Sequence, residues 1–377
     1  MSSYLGILKW REGDFGTHTS SPVSITGSRS VSKANEILTR VQQGELSVQA
    51  AEEMLQQHFV DEHEQTLKHG SGDSPSLTQG QAIAEIEKLG GSVTVDEKSP
   101  DKPVVKVYLG SWALGDDKLT DAGLVHLKDL TKLQTLNLKF TNVTDAGLVH
   151  VKGLTQLTYL DLQNTQVTDA GLMHLKGLTN LHYLDLNRMK ITFGSSMVHR
   201  KGLTLREMLQ LFGFGTKLKL TDAGLVHLKD LTKLQTLDLS YTAVTDAGLV
   251  HLKGLTQLQS LRLDGTKVTD AGLLHLNGLT NLHLFKTLYL DGTKVTDAGL
   301  VHLKGLTYLQ TLTLGSTKVT DAGLVHLKGL TSLDYLDLSG TNVTDAGVDQ
   351  LCQSLPHCNI NHCGGFRRFD RFWPVQD

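Results

Sequence analysis

The chain is poor in the features that mark several large classes of protein. It has three cysteines in 377 residues, and all of them, Cys352, Cys358 and Cys363, fall late. An odd, clustered set of this kind is no disulfide framework. No apolar run approaches the roughly 18 residues that a membrane helix needs. Met1 to Arg11 is polar and lacks the charged start, apolar stretch and small-residue site of a secretory leader. The net charge is only −3, so no global basic field points to nucleic acid. The expectation is a soluble, cytoplasmic protein with neither a nucleic-acid nor a membrane partner. Phosphate loops, dinucleotide fingerprints and nucleophile elbows are also absent from the sequence.

What is plentiful is leucine. Of 68 leucines, eight precede residue 105 and sixty follow it. Charge divides at the same place: residues 1–104 carry 9 Lys+Arg and 15 Asp+Glu, whereas the remainder is slightly basic. The leucine excess comes from copying. Thr-Asp-Ala-Gly begins at Thr120, Thr144, Thr168, Thr221, Thr245, Thr269, Thr296, Thr320 and Thr344. Most steps are 24 residues; one is 27, and the step from Thr168 to Thr221 is 53. The 53-residue step fits one further, degenerate repeat of 24 plus 5.

One unit runs from Leu133 to Gln156. Leu133, Leu136 and Leu138 have the spacing L-x-x-L-x-L of a short strand. Thr144 or Asp145 can accept bonds from the first free amides of a short helix, and Gly153 can end it. Such a unit cannot bury its apolar edge alone, so stacked copies must share one core. Threonines 141, 165, 242, 266, 293, 317 and 341 follow each strand, and Met189 interrupts their row.

This pattern resembles leucine-rich repeat proteins, with threonine where asparagine is usual. It is similar to a bacterial-type subclass whose helix starts with T-D-A-G-L, related to F-box and ribonuclease-inhibitor-like repeats. The resemblance implies an α/β solenoid: a right-handed superhelix with about eleven short parallel strands on a concave side and short helices on a convex side. The expected organisation is a polar tail at 1–30, a helical hairpin at 31–68 and a linker at 69–80. An N-terminal cap follows at 81–119, then repeats at 120–347, a C-terminal cap at 348–360 and a basic, aromatic tail at 361–377. The stretch 192–220 is irregular. It is either the scar of a duplication, since residues 118–136 recur unchanged at 219–237, or a functional insertion. A strand at 208–211 can be drawn within it. The tail is expected to fold over the last repeat.

Histidine recurs with the repeat, nine times from His126 to His326. One imidazole per layer gives no convergent set of about four ligands, so no metal is expected. The Thr-Asp-Ala-Gly aspartates read as helix caps rather than catalytic acids. Cys352 and Cys358 read as buried thiols. Neither a cofactor nor a catalytic residue is expected.

The concave strand positions differ between repeats while the helix positions hardly change. A middle column carries Asp161, Asp185, Asp238 and Asp337, with Arg262 between them. Tyr159, Tyr183, Tyr289 and Tyr335 flank it. Tyrosine is enriched at binding hot spots, and an acidic stripe favours a basic partner. The functional expectation is a non-catalytic scaffold that binds a protein or peptide on this face. The 31–68 hairpin is too small to stand alone and is a candidate for self-association. Rival readings are an F-box-like adaptor in protein turnover, and an enzyme using Cys363 or the histidine row.

Overall fold

The computed structural model describes residues 36, 40, 78–110, 119–188, 220–278, 285–362 and 365–367. The chain divides into two units, 1–74 and 75–377, and all the described residues except Glu36 and Arg40 belong to the second. The 31–68 hairpin, apart from Glu36 and Arg40, lies outside the described residues, as do the 208–211 strand, His199 and Cys363.

The described part is a twelve-stranded sheet whose strands are ordered as in the sequence. They are β1 (Ser92–Val95), β2 (Val104–Tyr108), β3 (Thr135–Asn137), β4 (Tyr159–Asp161), β5 (Tyr183–Asp185) and β6 (Thr236–Asp238). Then come β7 (Ser260–Arg262), β8 (Thr287–Tyr289), β9 (Thr311–Thr313), β10 (Tyr335–Asp337), β11 (Asn359–His362) and β12 (Gly365–Arg367). From β2 to β11 every pairing is parallel. The end strands are antiparallel, so each edge is closed by a hairpin. The expected count of about eleven thus becomes ten parallel strands and two reversed ones.

Each layer is built the same way. Its leucines enter one continuous core, in which Leu136, Leu160, Leu184, Leu237, Leu261, Leu288, Leu312 and Leu336 are fully buried. Burying a leucine contributes about 2 kcal/mol, and a layer carries several of them. Phe285 takes the first leucine position in the 27-residue unit and is fully buried too. After β3, β4 and β6 to β10 the chain turns through a left-handed residue: Phe140, Asn164, Tyr241, Gly265, Gly292, Ser316 and Gly340. The threonine that follows donates its hydroxyl to the carbonyl three residues back, at 2.6–2.8 Å. The threonine row therefore closes each turn upon itself rather than linking one layer to the next.

The link between layers is the aspartate of Thr-Asp-Ala-Gly. Asp121 accepts the backbone amide and the hydroxyl of Thr144, and Asp145 does the same for Thr168. The pattern continues to Asp321 and Thr344, with amide bonds of 2.7–2.8 Å and hydroxyl bonds of 2.5–2.7 Å. The helix is capped mainly by threonine, as where Thr245 accepts from the Ala247 amide. Only glycine fits at the fourth position, because a Cβ on Gly248 would meet the Asp222 carboxylate of the preceding layer. The four letters thus encode a cap, a bridge, a spacer and a gap for the neighbour's bridge.

The 53-residue step holds no extra layer in the sheet. Asp169 bonds Thr221 as any neighbour would, and β5 pairs directly with β6, Tyr183 opposite Thr236. Arg188 is the last described residue of one layer and Leu220 the first of the next. Elsewhere a backbone amide of the next layer caps the carbonyl at this height, as Gln166 does for Val143. At the break the Arg188 guanidinium takes over, donating to the carbonyls of Thr165 (2.6 Å) and Val167 (3.0 Å).

The ends are sealed differently. Helix α1 (Gln79–Lys88) starts with a capping box between Thr78 and Gln81 and buries Ala82 and Ile86. Gln79 ties it to the sheet by donating to the Lys102 carbonyl and accepting from the Val104 amide. Helix α2 (Asp345–Ser354) buries Val348, Leu351 and Cys352 at the other end. His362 is buried there, its Nε2 2.9 Å from the Val343 carbonyl.

Candidate functional site

The sheet register assembles the variable strand positions into columns. The first contains Tyr159 beside Tyr183, followed by Thr236. The second runs Asn137, Asp161, Asp185, Asp238, Arg262, Tyr289, Thr313 and Asp337. So three of the candidate aspartates are consecutive neighbours, while Asp337 stands apart. Tyr289 lies within the acidic column rather than beside it, which corrects the expected arrangement of four flanking tyrosines.

The aromatic pair is well formed. The Tyr159 and Tyr183 rings stack with centroids 4.3 Å apart and planes 8° from parallel. Tyr183 donates its hydroxyl to Asp185 at 3.3 Å, and Tyr335 does so to Asp337 at 3.4 Å. Arg262 lies over the Tyr289 ring, 4.2 Å from its centroid, a cation–π contact within one column.

Each column aspartate is partly structural. One oxygen accepts the amide two residues on: Gln163 for Asp161, Asn187 for Asp185, Ser240 for Asp238 and Ser339 for Asp337. The other oxygen meets a neighbouring strand in three cases, through Asn137, Asn187 and Asn361. Asp161, Asp185 and Asp238 are consequently buried, which the pattern of letters did not reveal. Arg262 is the most exposed of the nine candidates, and the tyrosines and Asp337 are half-buried.

Burial and crowding set the protonation. Asp185 is pushed up to about 7, first by burial and then by the Asp238 and Asp161 charges. Asp161 also moves up through burial, opposed by the Gln163 amide and the Lys139 charge. A third column adds two acids beyond the nine candidates, Asp264 and Asp291. Burial and Asp291 raise Asp264 to about 6, and burial raises Asp291. Their signal was available, because each follows Arg262 or Tyr289 by two residues on the same sheet face.

The residues that tempted a chemical reading fall elsewhere. His150 and His227 are lowered by burial and by nearby lysines. Cys358 is buried and its thiol pushed up to about 12, so it is a poor nucleophile at neutral pH. Among the described residues no group of His, Cys, Asp and Glu is arranged to hold a metal ion. No helix among them is long and apolar enough to cross a membrane.

A model described as two-copy leucine-rich repeats matches residues 155–193, and a leucine-rich repeat model matches 129–150, 230–252 and 329–352. No curated protein matches the chain. Internalin C2 from Listeria monocytogenes is similar at 22% identity over 74% of this chain and 92% of that one, with a TM-score of 0.40. Internalin InlF from the same organism is similar at 21% identity over 77% and 98%, with a TM-score of 0.28. A PEPR1–AtPEP1 structure is similar at 16% identity over 72% of this chain and 36% of that chain, with a TM-score of 0.38. The matched repeats and the parallel sheet define an α/β leucine-rich repeat solenoid.

Proposed function

We propose that this protein is a non-catalytic scaffold that binds a protein or peptide on the outer face of its sheet. One observation carries the reading. Side chains on this face change from layer to layer, whereas the bridging edge repeats the same four letters. Variation on a rigid frame is where a specific surface can be encoded. The face offers what protein recognition uses: a stacked tyrosine pair, an arginine on a tyrosine, and carboxylates in two adjoining columns. The acids favour a partner with basic side chains. A cytoplasmic location suits this reading, as does a repeat subclass of the T-D-A-G-L type.

The test keeps the fold intact. Tyr159→Thr, Asp161→Asn, Tyr183→Thr and Asp185→Asn together turn β4 and β5 into the Thr-Leu-Asn of β3. Wild type and this variant are compared in capture of partners from lysate of the source cells, with both melting curves measured. Loss of the captured proteins from a normally folded variant supports the reading. Unchanged capture contradicts it.

A further inference from the structure

Opposite in character to the sheet face is a stripe along the helix side. The residue that ends each Asp-Ala-Gly-Leu turn is apolar throughout: Val125, Val149, Met173, Val226, Val250, Leu274, Val301 and Val325. In the first four layers it is half-buried. In the last four it is exposed, at 40% for Val250, 53% for Leu274, 40% for Val301 and 54% for Val325. These four lie on turns that pack consecutively. The alanines three residues earlier, Ala247, Ala271, Ala298 and Ala322, are exposed as well. Together they form an apolar band two residues wide and four layers long. Scattered surface valines need no explanation, but a continuous band marks a surface that is covered by something.

Exposed lysines line the band. Lys253, Lys304 and Lys328 follow three residues after the band in three of the four layers, and all are exposed. The carboxylates on the same four turns, Asp246, Asp270, Asp297 and Asp321, are engaged by threonines of the following layer. The occupant should therefore be apolar on one side and acidic around it. The chain contains such a segment. Residues 47–64 hold five acids and no Lys or Arg, with Val48, Ala51, Leu55 and Phe59 at helical spacing.

We propose that the Val250–Leu274–Val301–Val325 stripe is a docking surface for segment 47–64 of a second copy of this chain. Apolar contact supplies the attraction, and the lysine row against the acids selects the segment and its orientation. This goes beyond the partner-binding reading, since it uses the other side of the repeats.

The full-length protein is examined by sedimentation over a range of concentrations. Self-association is expected, and Leu274→Glu with Val325→Glu should weaken it at least about tenfold, or about 1.4 kcal/mol. Both sites are exposed, so the double variant should keep its circular dichroism spectrum. Glu52→Lys with Glu53→Lys should weaken association as well. Adding Lys304→Glu and Lys328→Glu to that variant should restore it in part. A chain that stays monomeric at every concentration overturns the proposal, as does a dimer that the stripe variant leaves unchanged.

Discussion

Aspartate recurs in two regions of this molecule, in every layer at the helix starts and in most layers on the sheet face, with opposite consequences. At the helix starts, Asp222 receives the amide and hydroxyl of Thr245 at 2.7 and 2.6 Å, and its neighbours do likewise. Bonding of this kind favours the charged form, and Thr344 holds Asp321 below the usual carboxylate range. At Asp169 burial outweighs the same two bonds and moves it up. On the sheet face, Asp185 stands between Asp161 and Asp238 and rises to about 7. The edge uses its carboxylates to hold layers together. The face packs carboxylates side by side, so each charged one works against its neighbours even while it accepts local amide bonds.

The largest effect should come from filling the gap at the edge. Gly248→Ala places a methyl against the Asp222 carboxylate and within 2.9 Å of Leu225. A loss of about 2–4 kcal/mol is expected in urea unfolding. Gly305→Ala, with nothing within 4 Å of the new atom, should change stability by less than about 0.5 kcal/mol. Equal effects at the two glycines would break the claim that the edge is the structural region.

Next is the joint. Arg188→Met removes both donors to the Thr165 and Val167 carbonyls. Leaving buried acceptors unpaired costs roughly 1–3 kcal/mol, and the same unfolding measurement reads it.

A face acid should behave oppositely to an edge acid. The folded Asp185 carboxyl titrates near 7 and an unfolded aspartate near about 3.9. Between these values the folded chain holds the extra proton, so stability falls as pH rises and the penalty is complete above 7. Asp185→Asn keeps the acceptor for the Asn187 amide and removes the charge. It should stabilise the protein at pH 8 on the order of 1–3 kcal/mol and have little effect at pH 4. Thermal melts at the two pH values check this. Destabilisation at pH 8 would mean that the Asp185 charge itself stabilises the fold.

The smallest change should follow from shortening the joint. Replacing residues 189–219 with Thr-Gln restores the 24-residue step. Because the layers on either side already touch, stability should stay within about 1 kcal/mol.

The strands, the helix starts and the shared core were legible because each rests on local spacing. L-x-x-L-x-L marks a strand, and the register then stacks Tyr159 on Tyr183 without further information. The adjacency of the Thr168 and Thr221 layers was not legible. It depends on Asp169 reaching Thr221 and on β5 pairing β6, contacts whose existence does not depend on the intervening length. Counting residues suggested an extra layer between two layers that are direct neighbours in the sheet. The bridging role of Asp121 and its copies was hidden for another reason. Aspartate and threonine are both good caps, and only the structure assigns the cap to one and the bridge to the other. Arg188 carried no signal, since its task arises from carbonyls left open one layer earlier in the chain. Burial of Asp161, Asp185 and Asp238 was equally hidden, because alternation along a strand reports which face a side chain takes but not how closely its neighbours crowd it.

A cross-linking experiment tests most directly whether the sheet face is where a partner binds. A photoreactive p-benzoylphenylalanine is placed either at Tyr335, on the sheet face, or at Val325, on the helix stripe, and each protein is irradiated with its captured partner. The prediction is that position 335 cross-links the partner, while position 325 cross-links only another copy of the chain. Partner cross-links from position 325 and none from 335 would contradict the account.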